Sequence, residues 1–241
     1  MSDLALVMPM AGRGSRFALS GEVVPKPLIK IGGQCFFHWA AESVLRRVPV
    51  RQKVFVVLEE HVERHGIADR IRASYPDATV LAISEPTAGA AETAMIGIAA
   101  LDEDGPIAIN DCDHAFSVPA LDSLVDQVAQ GAAGALVGFA SRNPAYSYAQ
   151  LADDDPLRVT GTIEKQCAGP YAIAGCYFFR NKSILEEAFA RYRAECPYPE
   201  LFLSGLYNLL CSDGHMVRFH PLEHHLSFGT PQERADLSDV A

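Results

Sequence analysis

The sequence predicts a three-layer α/β protein with a mostly parallel, mixed sheet and an antiparallel addition towards its C-terminal end. Two observations carry this prediction. In the first half of the 241-residue chain, short apolar runs alternate with stretches of helical period, a pattern typical of parallel strands whose connecting helices cover both faces of the sheet. In the second half, strand-like runs follow one another closely through turn-rich connections, which favours antiparallel pairing.

Each element of the first half follows from its local pattern. Short apolar runs bounded by turn residues predict buried strands, and longer runs with one apolar face predict helices. The predicted strands are residues 4–8, 53–58, 79–83, 107–109 and 135–139. The predicted helices are residues 37–47, 62–75, 91–101 and 121–130. Ligands of such sheets bind beyond the carboxyl ends of the strands, so the loops after residues 8 and 109 are candidate sites.

The second half contributes shorter, more closely spaced elements. Its predicted strands are residues 147–152, 159–164 and 171–180, and helical segments follow at 182–193 and 200–211. No internal repeat, low-complexity tract or linker interrupts the chain. The sequence therefore predicts a single domain over residues 1–241.

Composition excludes several classes of protein. A hydrophobic fraction of 49% and a charged fraction of 21% are ordinary for a globular protein. A formal net charge of −10 argues against a general nucleic-acid binder, although a local basic loop could still hold a nucleotide. The six cysteines form no Cys-x-x-Cys pair and are expected to be reduced. Without a signal-peptide pattern or a membrane-spanning apolar run, a cytoplasmic protein is expected.

The most informative segment is the loop after the first predicted strand. Its residues, in order, are Ala11, Gly12, Arg13, Gly14, Ser15 and Arg16. Lys26 follows between two prolines. Glycine lets the backbone turn sharply and approach a ligand closely, and successive N–H groups in such a turn form a cavity for anions. Because two arginines and Lys26 add positive charge, the loop is predicted to hold the phosphate tail of a nucleoside triphosphate.

Two better-known phosphate-binding loops fit this segment less well. A P-loop requires Gly-Lys-Ser/Thr at the end of the glycine stretch, where this chain has Ser15 and Arg16. A dinucleotide-binding loop requires a third small residue where Phe17 stands. The remaining alternative is an ordinary glycine turn beside solvated charges, which the following Pro-Lys-Pro makes less favourable.

The run from the apolar strand through Gly-x-Gly-Ser-Arg-Phe to Pro-Lys-Pro-Leu, which ends at Leu28, resembles the signature of the nucleotidyltransferases that make nucleotide-sugars. These are the sugar-1-phosphate pyrophosphorylases, with a GT-A-like, Rossmann-like fold. The resemblance implies that Arg16 and Lys26 are catalytic and that the preceding loop residues bind the nucleotide. It also implies a nucleotide-binding part at about residues 1–140 and an acceptor-binding part at about residues 141–241, in a pathway that builds surface polysaccharide.

Two carboxylates follow the predicted strand 107–109 and indicate a metal site. Mg²⁺ prefers oxygen ligands and keeps several waters. The resemblance implies a metal-binding aspartate followed within a few positions by an aromatic residue, and Asp113 with Phe116 matches this pattern. Asp113 is therefore the predicted Mg²⁺ ligand, and Asp111, one alternation away, is expected either to point elsewhere or to support the site. The alternative is that both carboxylates cap the next helix.

A second match concerns the nucleotide base. After the predicted strand 79–83, Gly89 corresponds to a family glycine whose backbone approaches the base, and Glu85 corresponds to a polar contact just upstream. The resemblance therefore implies that both bind the nucleotide. The alternative is that Thr87 caps the next helix while Glu92 points to water.

Two further matches concern the acceptor. Glu164 and Lys165 correspond to the family's Glu-Lys pair, which contacts sugar hydroxyls and phosphate, and Gly175 to a glycine that lies against the sugar ring. For an isolated Glu-Lys dipeptide, a surface ion pair would be the alternative. The ordered spacing of the two matches favours an acceptor site made of these residues.

One departure from the family pattern lies near the C-terminal end. Ser227 stands where the family usually has a second metal-binding aspartate, and a neutral hydroxyl is a poor Mg²⁺ ligand. Glu223, His224 and His225 are nearby candidates for compensation, although histidine prefers softer metals. The histidine pair is expected to be a structural or surface feature.

The resemblance implies transfer of a nucleoside monophosphate from a triphosphate to a sugar 1-phosphate, with release of pyrophosphate and Mg²⁺ as cofactor. Positioning and electrostatics carry such reactions. Two alternatives stay open: a cytidylyltransferase for a small non-sugar phosphate or phosphonate, and a non-catalytic nucleotide-sugar sensor. The expected partners are the triphosphate and a phosphorylated small-molecule acceptor, without nucleic acid or membrane, and a homo-oligomer is left open.

Overall fold

The structure is a computed structural model that describes residues 3–238. Its strands are β1 Leu4–Pro9, β2 Lys30–Ile31, β3 Gln34–Cys35, β4 Val50–Leu58, β5 Thr79–Ile83, β6 Ile107–Asn110, β7 His114–Ser117, β8 Gly134–Ala140, β9 Tyr148–Leu151, β10 Val159–Ile163, β11 Tyr171–Phe179, β12 Val217–Pro221 and β13 His224–Ser227. Its helices are α1 Ser15–Leu19, α2 Phe36–Leu45, α3 Glu59–His65, α4 Ile67–Ser74, α5 Ala90–Ala99, α6 Leu121–Gln130, α7 Lys182–Glu195, α8 Leu203–Ser212 and α9 Pro231–Ser238, with a 3₁₀ turn at Lys26–Leu28.

The central sheet is mixed and mostly parallel. β1 pairs in parallel with β4 and β6, and β4 pairs in parallel with β5. β11 runs antiparallel to β6 on one edge and to β8 on the other, and β12 continues the sheet parallel to β8. The antiparallel pair β9–β10 joins the sheet through β11. The predicted fold class, a mostly parallel sheet with an antiparallel addition, is confirmed.

The alternation of side chains along β1 builds a core on each face of the sheet. Leu4, Leu6 and Met8 belong to one buried cluster, which α2, α4 and α6 cover. Ala5 and Val7 belong to the other, which α5, α7 and α8 cover. Because both faces are covered, β1 is apolar throughout, and the layers number three as predicted.

The structure corrects several predicted boundaries. The predicted helix 62–75 is two helices, because Gly66 adopts a left-handed conformation (φ +60°) and ends α3. The predicted helix 200–211 begins only at Leu203. Asp111 and Asp113 do not cap the next helix, because β7 follows them and α6 begins after Ala120.

Strand β7 pairs with β13 in a separate two-stranded ribbon that the sequence did not predict. This ribbon brings the segment around Ser227 back beside the loop that contains Asp113. Within residues 3–238, no helix combines the length and the apolar character that crossing a bilayer would require.

Candidate active site

The glycine loop lies at the carboxyl end of β1 and packs directly on the Lys26 turn. Gly14 has a left-handed backbone (φ +59°), and a Cβ placed on it would stand 3.0 Å from the Cβ of Lys26. Glycine is therefore required both for the turn and for the close approach. Phe17 anchors the loop by packing edge-on against Phe36, with ring centroids 5.8 Å apart. Ala11 is buried, whereas the other loop residues face outward and are accessible to a ligand: Gly12, Arg13, Gly14, Ser15 and Arg16.

Lys26 and Asp113 form the electrostatic centre of the site. The Lys26 Nζ lies 2.5 Å from Asp113 Oδ2, and about a fifth of each side chain is exposed (20% and 23%). Buried Pro25 and Pro27 hold the turn that presents the lysine. Burial opposes the charge on both groups, but their mutual attraction and hydrogen bond, together with other nearby charges, outweigh it, so the pKa of Lys26 is raised and the pKa of Asp113 is lowered. Both groups are thus charged at neutral pH.

Asp111 lies on the other side of the same loop, against Gly175. A Cβ on Gly175, whose φ is +70°, would stand 3.0 Å from Asp111 Oδ2 and 3.2 Å from His114 Nε2. Burial, together with the nearby charge of Asp113, raises the pKa of Asp111 to about 8. Burial also lowers the pKa of His114 to about 4, so this imidazole is neutral. Gly175 therefore faces the two-aspartate loop, as a residue at the floor of a ligand site would.

A carboxylate that the sequence did not predict, Glu233, lies beside Asp113. A Cβ on Gly229 would stand 2.5 Å from Asp113 Oδ2 and 3.6 Å from Glu233 Oε2, so both carboxylates border this glycine. Glu233 accepts hydrogen bonds from the hydroxyl of Tyr146 and from Thr230 Oγ1, the latter at 3.1 Å. Glu233 lies in α9, two residues after Pro231, and this helix sets its position beside Asp113.

Of the two histidines before Ser227, His225 is a packing group and His224 lies at the surface. His225 stacks on Phe139 with ring centroids 3.8 Å apart and lies 5.8 Å from His114. Burial, followed by the nearby His114, lowers the pKa of His225 to about 3. His224 is exposed. A neutral, stacked imidazole of this kind supports the wall of the site.

The predicted base-binding loop is clamped by a distant segment. Leu201 N–H donates to the carbonyl of Ala88 (3.0 Å), and the Leu201 carbonyl accepts from the N–H of Ala91 (2.9 Å). A Cβ on Gly89 would stand 2.5 Å from Leu201 N and 2.6 Å from Leu201 O. Only glycine fits here. Glu85 is exposed and has no hydrogen bond to another residue in the described range 3–238.

The alternative interpretation of this loop is wrong in both parts. Gly89, not Thr87, is the N-cap of α5, and the Thr87 hydroxyl donates to the carbonyl of Gly89 at 2.8 Å. Glu92 does not point to water, because it accepts from the Ala88 N–H at 2.8 Å and pairs with Arg193 at 3.2 Å. At the start of α5, the Ala91 N–H is thus bound by the distant Leu201 and the Ala88 N–H by Glu92, which keeps the loop in place.

Glu164 is held by two serines on the acceptor side of the site. Ser147 Oγ lies 2.8 and 2.6 Å from the two carboxylate oxygens, and Ser204 Oγ donates to Oε2 at 2.5 Å. No signal in the sequence marks either serine, since they lie 17 and 40 residues away along the chain. The carboxylate is thus oriented by charge-assisted hydrogen bonds.

Lys165 makes no surface ion pair with Glu164. It has a left-handed backbone (φ +51°), which is uncommon for a residue with a side chain. Its Nζ lies 4.4 Å from the ring centroid of Phe202, and its N–H donates to the carbonyl of Tyr146 at 3.1 Å. Tyr146 thereby connects Lys165 to Glu233, and through it to the surroundings of Asp113.

The structure therefore brings most predicted residues to one edge of the sheet. Lys26 and Asp113 are in contact, Gly175 faces the same loop, and the segment Leu201–Ser204 links Gly89 to the Glu164 side. Glu85 makes no such contact within residues 3–238.

Asp113 and Glu233 are the carboxylates of this site that could hold a divalent metal ion. No group of three His, Cys, Asp or Glu side chains in the described part of the chain forms a complete metal site. Mg²⁺ commonly takes only one or two protein carboxylates and completes its shell with waters and phosphate oxygens. The oxygens of Asp113 and Glu233 around Gly229 meet this requirement.

A glycine loop and a paired lysine beyond the strand ends of an α/β sheet define an NTP-dependent transferase. The chain belongs to the family described as MobA-like NTP transferase domain, whose match extends over residues 6–197. It is a nucleotidyltransferase of the NTP transferase kind, and enzymes of this family generally use a divalent metal.

Known proteins agree with this assignment. The chain is 26% identical to the bifunctional protein GlmU of Mycolicibacterium vanbaalenii over all of its own length, and it spans 50% of that protein. A nucleoside-diphosphate-sugar pyrophosphorylase from Vibrio cholerae RC9 has the same fold, with a TM-score of 0.84, 24% identity and coverage of 97% of this chain and 99% of its own.

Two further solved structures share the fold. A putative glucose-1-phosphate thymidylyltransferase from Bacillus anthracis has a TM-score of 0.78 at 14% identity, over 99% of this chain and 95% of its own. The inositol-1-phosphate CTP transferase from T. maritima has a TM-score of 0.76 at 14% identity, over 98% and 94%. At these identities the similarity concerns the fold.

Proposed function

We propose that the protein transfers a nucleoside monophosphate from a triphosphate to a sugar 1-phosphate. An oxygen of the acceptor phosphate attacks the α-phosphorus, the bond to the bridging oxygen of the β-phosphate breaks, and pyrophosphate leaves. The observation that carries the proposal is the ion pair of Lys26 and Asp113. Lys26 adjoins Gly14 of the glycine loop, and Asp113 belongs to the two-aspartate loop that Gly175 faces. We assign the donor to residues 1–140 and the acceptor to residues 141–241.

On the donor side, the glycine loop supplies N–H groups and arginines to the triphosphate. Arg16 is exposed and near enough to Asp113 to help lower the pKa of that carboxyl. Together with Arg13 it stabilises the charge that develops on the leaving pyrophosphate. We assign the base to the backbone of the Gly89 loop, which the hydrogen bonds of Leu201 hold in place. The contact of Glu85 with the base is part of the same proposal.

Lys26 acts between the two substrates. Its ammonium reduces the repulsion between the triphosphate and the incoming phosphate, both of which are anionic. In the absence of substrate its charge is balanced by Asp113 at 2.5 Å. We infer that substrate phosphates replace this carboxylate as the partner of the lysine.

Asp113, with Glu233 beside it, would hold Mg²⁺ in the substrate complex. The bound ion supplies Lewis-acid stabilisation of α-phosphate oxygens. Asp113 has the lowered pKa that keeps a ligand ionised, whereas the raised pKa of Asp111 suits a carboxyl that accompanies the site without holding the metal. On this assignment Glu233 supplies the second carboxylate, so the metal does not require an aspartate at position 227.

On the acceptor side, Glu164 accepts hydrogen bonds from sugar hydroxyls and Lys165 binds the acceptor phosphate. The serines that orient Glu164 support this role, because a surface ion pair would need no such fixation. We assign the contact with the sugar ring to Gly175, whose missing Cβ lets Asp111 and His114 pack closely against its backbone.

The test is release of pyrophosphate in the presence of Mg²⁺, with ATP, CTP, GTP, UTP or dTTP and a panel of sugar 1-phosphates and other phosphate monoesters. We expect release with one nucleotide and one sugar 1-phosphate. Release with CTP and only a non-sugar phosphate would identify the cytidylyltransferase instead. Binding of nucleotide without release from any pair would contradict the transfer itself.

The variants Lys26→Ala and Asp113→Asn test the roles of the pair. Each is expected to lower turnover roughly 100-fold to 1000-fold, the range found for loss of a preorganised charge contact. Lys53→Ala is a matched control, because Lys53 also pairs with an aspartate, Asp77, at 2.7 Å, but lies in β4 away from the site. Unchanged turnover in both site variants would remove the pair from the mechanism.

A further inference from the structure

A cavity with a volume of 470 Å³ lies outside the proposed active site and adjoins the turn that carries Lys26. It lies between the loop after α1, the junction of α3 and α4, and α9. Leu28 and Ile29, which directly follow Pro27, form part of its wall. None of the residues assigned above to the active site lines it. Its volume lies within the range of small-molecule sites.

The charges around this cavity favour an anion. Four of its lining residues are arginine or lysine, and Glu22 is its one carboxylate among the residues described. Two of the four cations already have acidic partners: Arg64 pairs with Glu60, and Arg234 pairs with Glu22, each at 2.6 Å. In a chain with a net charge of −10, a cluster of this sign is a local feature that general composition does not explain.

The other two cations, Lys30 and Arg70, have no carboxylate partner within residues 3–238. Arg70 Nε donates only to the carbonyl of His65, at 3.4 Å, which leaves the rest of its guanidinium free for a ligand. Both side chains line the same cavity, and both are near enough to the Cys35 thiol to oppose the rise in its pKa that burial causes. Two neighbouring, unbalanced cations match the two negative charges of a phosphate monoester.

The apolar wall of the cavity favours a ligand that has apolar surface of its own. Leu28 and Ile29 are buried, and Val24 is half-buried at the same wall. A free inorganic anion would leave the apolar wall exposed to water. An organic phosphate would instead pack its apolar part against this wall and place its phosphate group at Lys30 and Arg70. We propose that this cavity binds a small organic phosphate monoester at a site separate from the active site.

A ligand bound in this cavity would affect the active site, because the walls of the cavity include elements that support active-site residues. The 3₁₀ turn ends at Leu28 and begins at Lys26, so one wall of the cavity is the support of the active-site lysine. Arg234 is the neighbour of Glu233, and its ion pair with Glu22 ties α9 to the loop after α1. A ligand here therefore contacts the elements that set the positions of Lys26 and Glu233.

The test is a binding measurement that needs no turnover and does not depend on the proposed reaction. The probe is 1-naphthyl phosphate, followed by calorimetry, with 1-naphthol and inorganic phosphate for comparison. The starting protein carries Arg13→Ala and Arg16→Ala, so that anion binding at the glycine loop is removed while the Lys26 turn is kept. We expect one probe molecule to bind, more tightly than either comparison compound.

Arg70→Ala and Lys30→Ala in that background are each expected to weaken binding at least tenfold. Arg72→Ala is the matched control, because Arg72 lies on the same helix, pairs with Asp69 at 3.9 Å and does not line the cavity. Thermal unfolding checks that each variant is folded. The proposal is overturned if the double arginine variant binds no probe, or if Arg70→Ala and Lys30→Ala bind as tightly as Arg72→Ala.

Discussion

Replacement of Gly89 by alanine is expected to damage both folding and substrate binding. The new Cβ would stand 2.5, 2.6 and 2.9 Å from the N, O and C atoms of Leu201. Backbone atoms cannot rotate away from such a contact. Leu201 is also held by its hydrogen bonds to Ala88 and Ala91, so relief of the clash requires that these bonds lengthen or break.

The magnitude follows from these contacts. A backbone hydrogen bond contributes about 1 kcal/mol net, and two are lost when Leu201 moves. The φ of Gly89, +157°, adds about 1 kcal/mol of backbone strain for a residue with a side chain. The expected loss in the free energy of unfolding is therefore about 3 kcal/mol. For a chain of this size that corresponds to a fall in Tm of about 6–12 °C.

Gly131 offers a matched control for the strain alone. Its φ is +155°, and a Cβ placed on it would have no atom within 4 Å. Gly131→Ala should therefore lose about 1 kcal/mol, or about 2–4 °C in Tm. Thermal unfolding followed by circular dichroism measures both variants. Equal losses in the two variants would refute the reasoning from the Leu201 contact.

The same substitution has a kinetic consequence under the proposed function. Leu201 belongs to the segment that also carries Phe202 and Ser204, which contact Lys165 and Glu164. A displaced segment should therefore raise the KM of both substrates, measured by pyrophosphate release at a temperature where the variant is folded. A rise confined to the nucleotide would show that the acceptor side is independent of this segment.

Three more predictions test other parts of the site. Gly12→Ala should change stability by less than about 0.5 kcal/mol, because a Cβ there meets no atom within 4 Å; its KM for nucleotide should rise, and an unchanged KM would separate this glycine from the phosphates. In Ser204→Ala only Ser147 still donates to Glu164, so the KM for the acceptor should rise about tenfold through loss of a charge-assisted hydrogen bond. Ser204→Thr should restore the original KM. Equal KM values in the original protein and both variants would exclude a positioning role for Ser204. The raised pKa of Asp111, about 8, means that ionisation costs the metal-free protein stability as the pH rises from about 4 to 8; Asp111→Asn should raise Tm at pH 8 and leave it unchanged near pH 4, and a gain of equal size at both pH values would count against burial of the charge.

Local sequence information was sufficient for the architecture and for the phosphate loop. Short apolar runs bounded by turn residues predicted the strands of the central sheet within a few residues, with the exception of β12, because such runs and their flanking turns are local properties. Gly14 and Gly175 were identified from motif spacing, and both adopt left-handed conformations in the structure. The approximate positions of Lys26 and Asp113 beyond strand ends followed from the topology of a parallel sheet.

The sequence was less informative where contacts join distant segments. The helix break at Gly66 and the β7–β13 ribbon were not predicted, since a short polar strand has little local pattern of its own. The hydrogen bond between Tyr146 and Glu233 spans 87 residues, and neither residue belongs to a pattern that indicates the other. The interpretation of Glu92 as solvent-facing failed for the same reason: its partner Arg193 lies on a distant helix.

The sequence by itself determined the alternation of strands and helices in the first half of the chain, the place of the glycine loop and the chemistry of its side chains. These depend on periodicity, on turn geometry and on residue type, all of which act over a few neighbouring residues. Only the tertiary structure decided which carboxylate accompanies Asp113 and which side chains orient Glu164. Electrostatic attraction and hydrogen bonding depend on distance in space, and that distance is set when the sheet brings the ends of separate strands together.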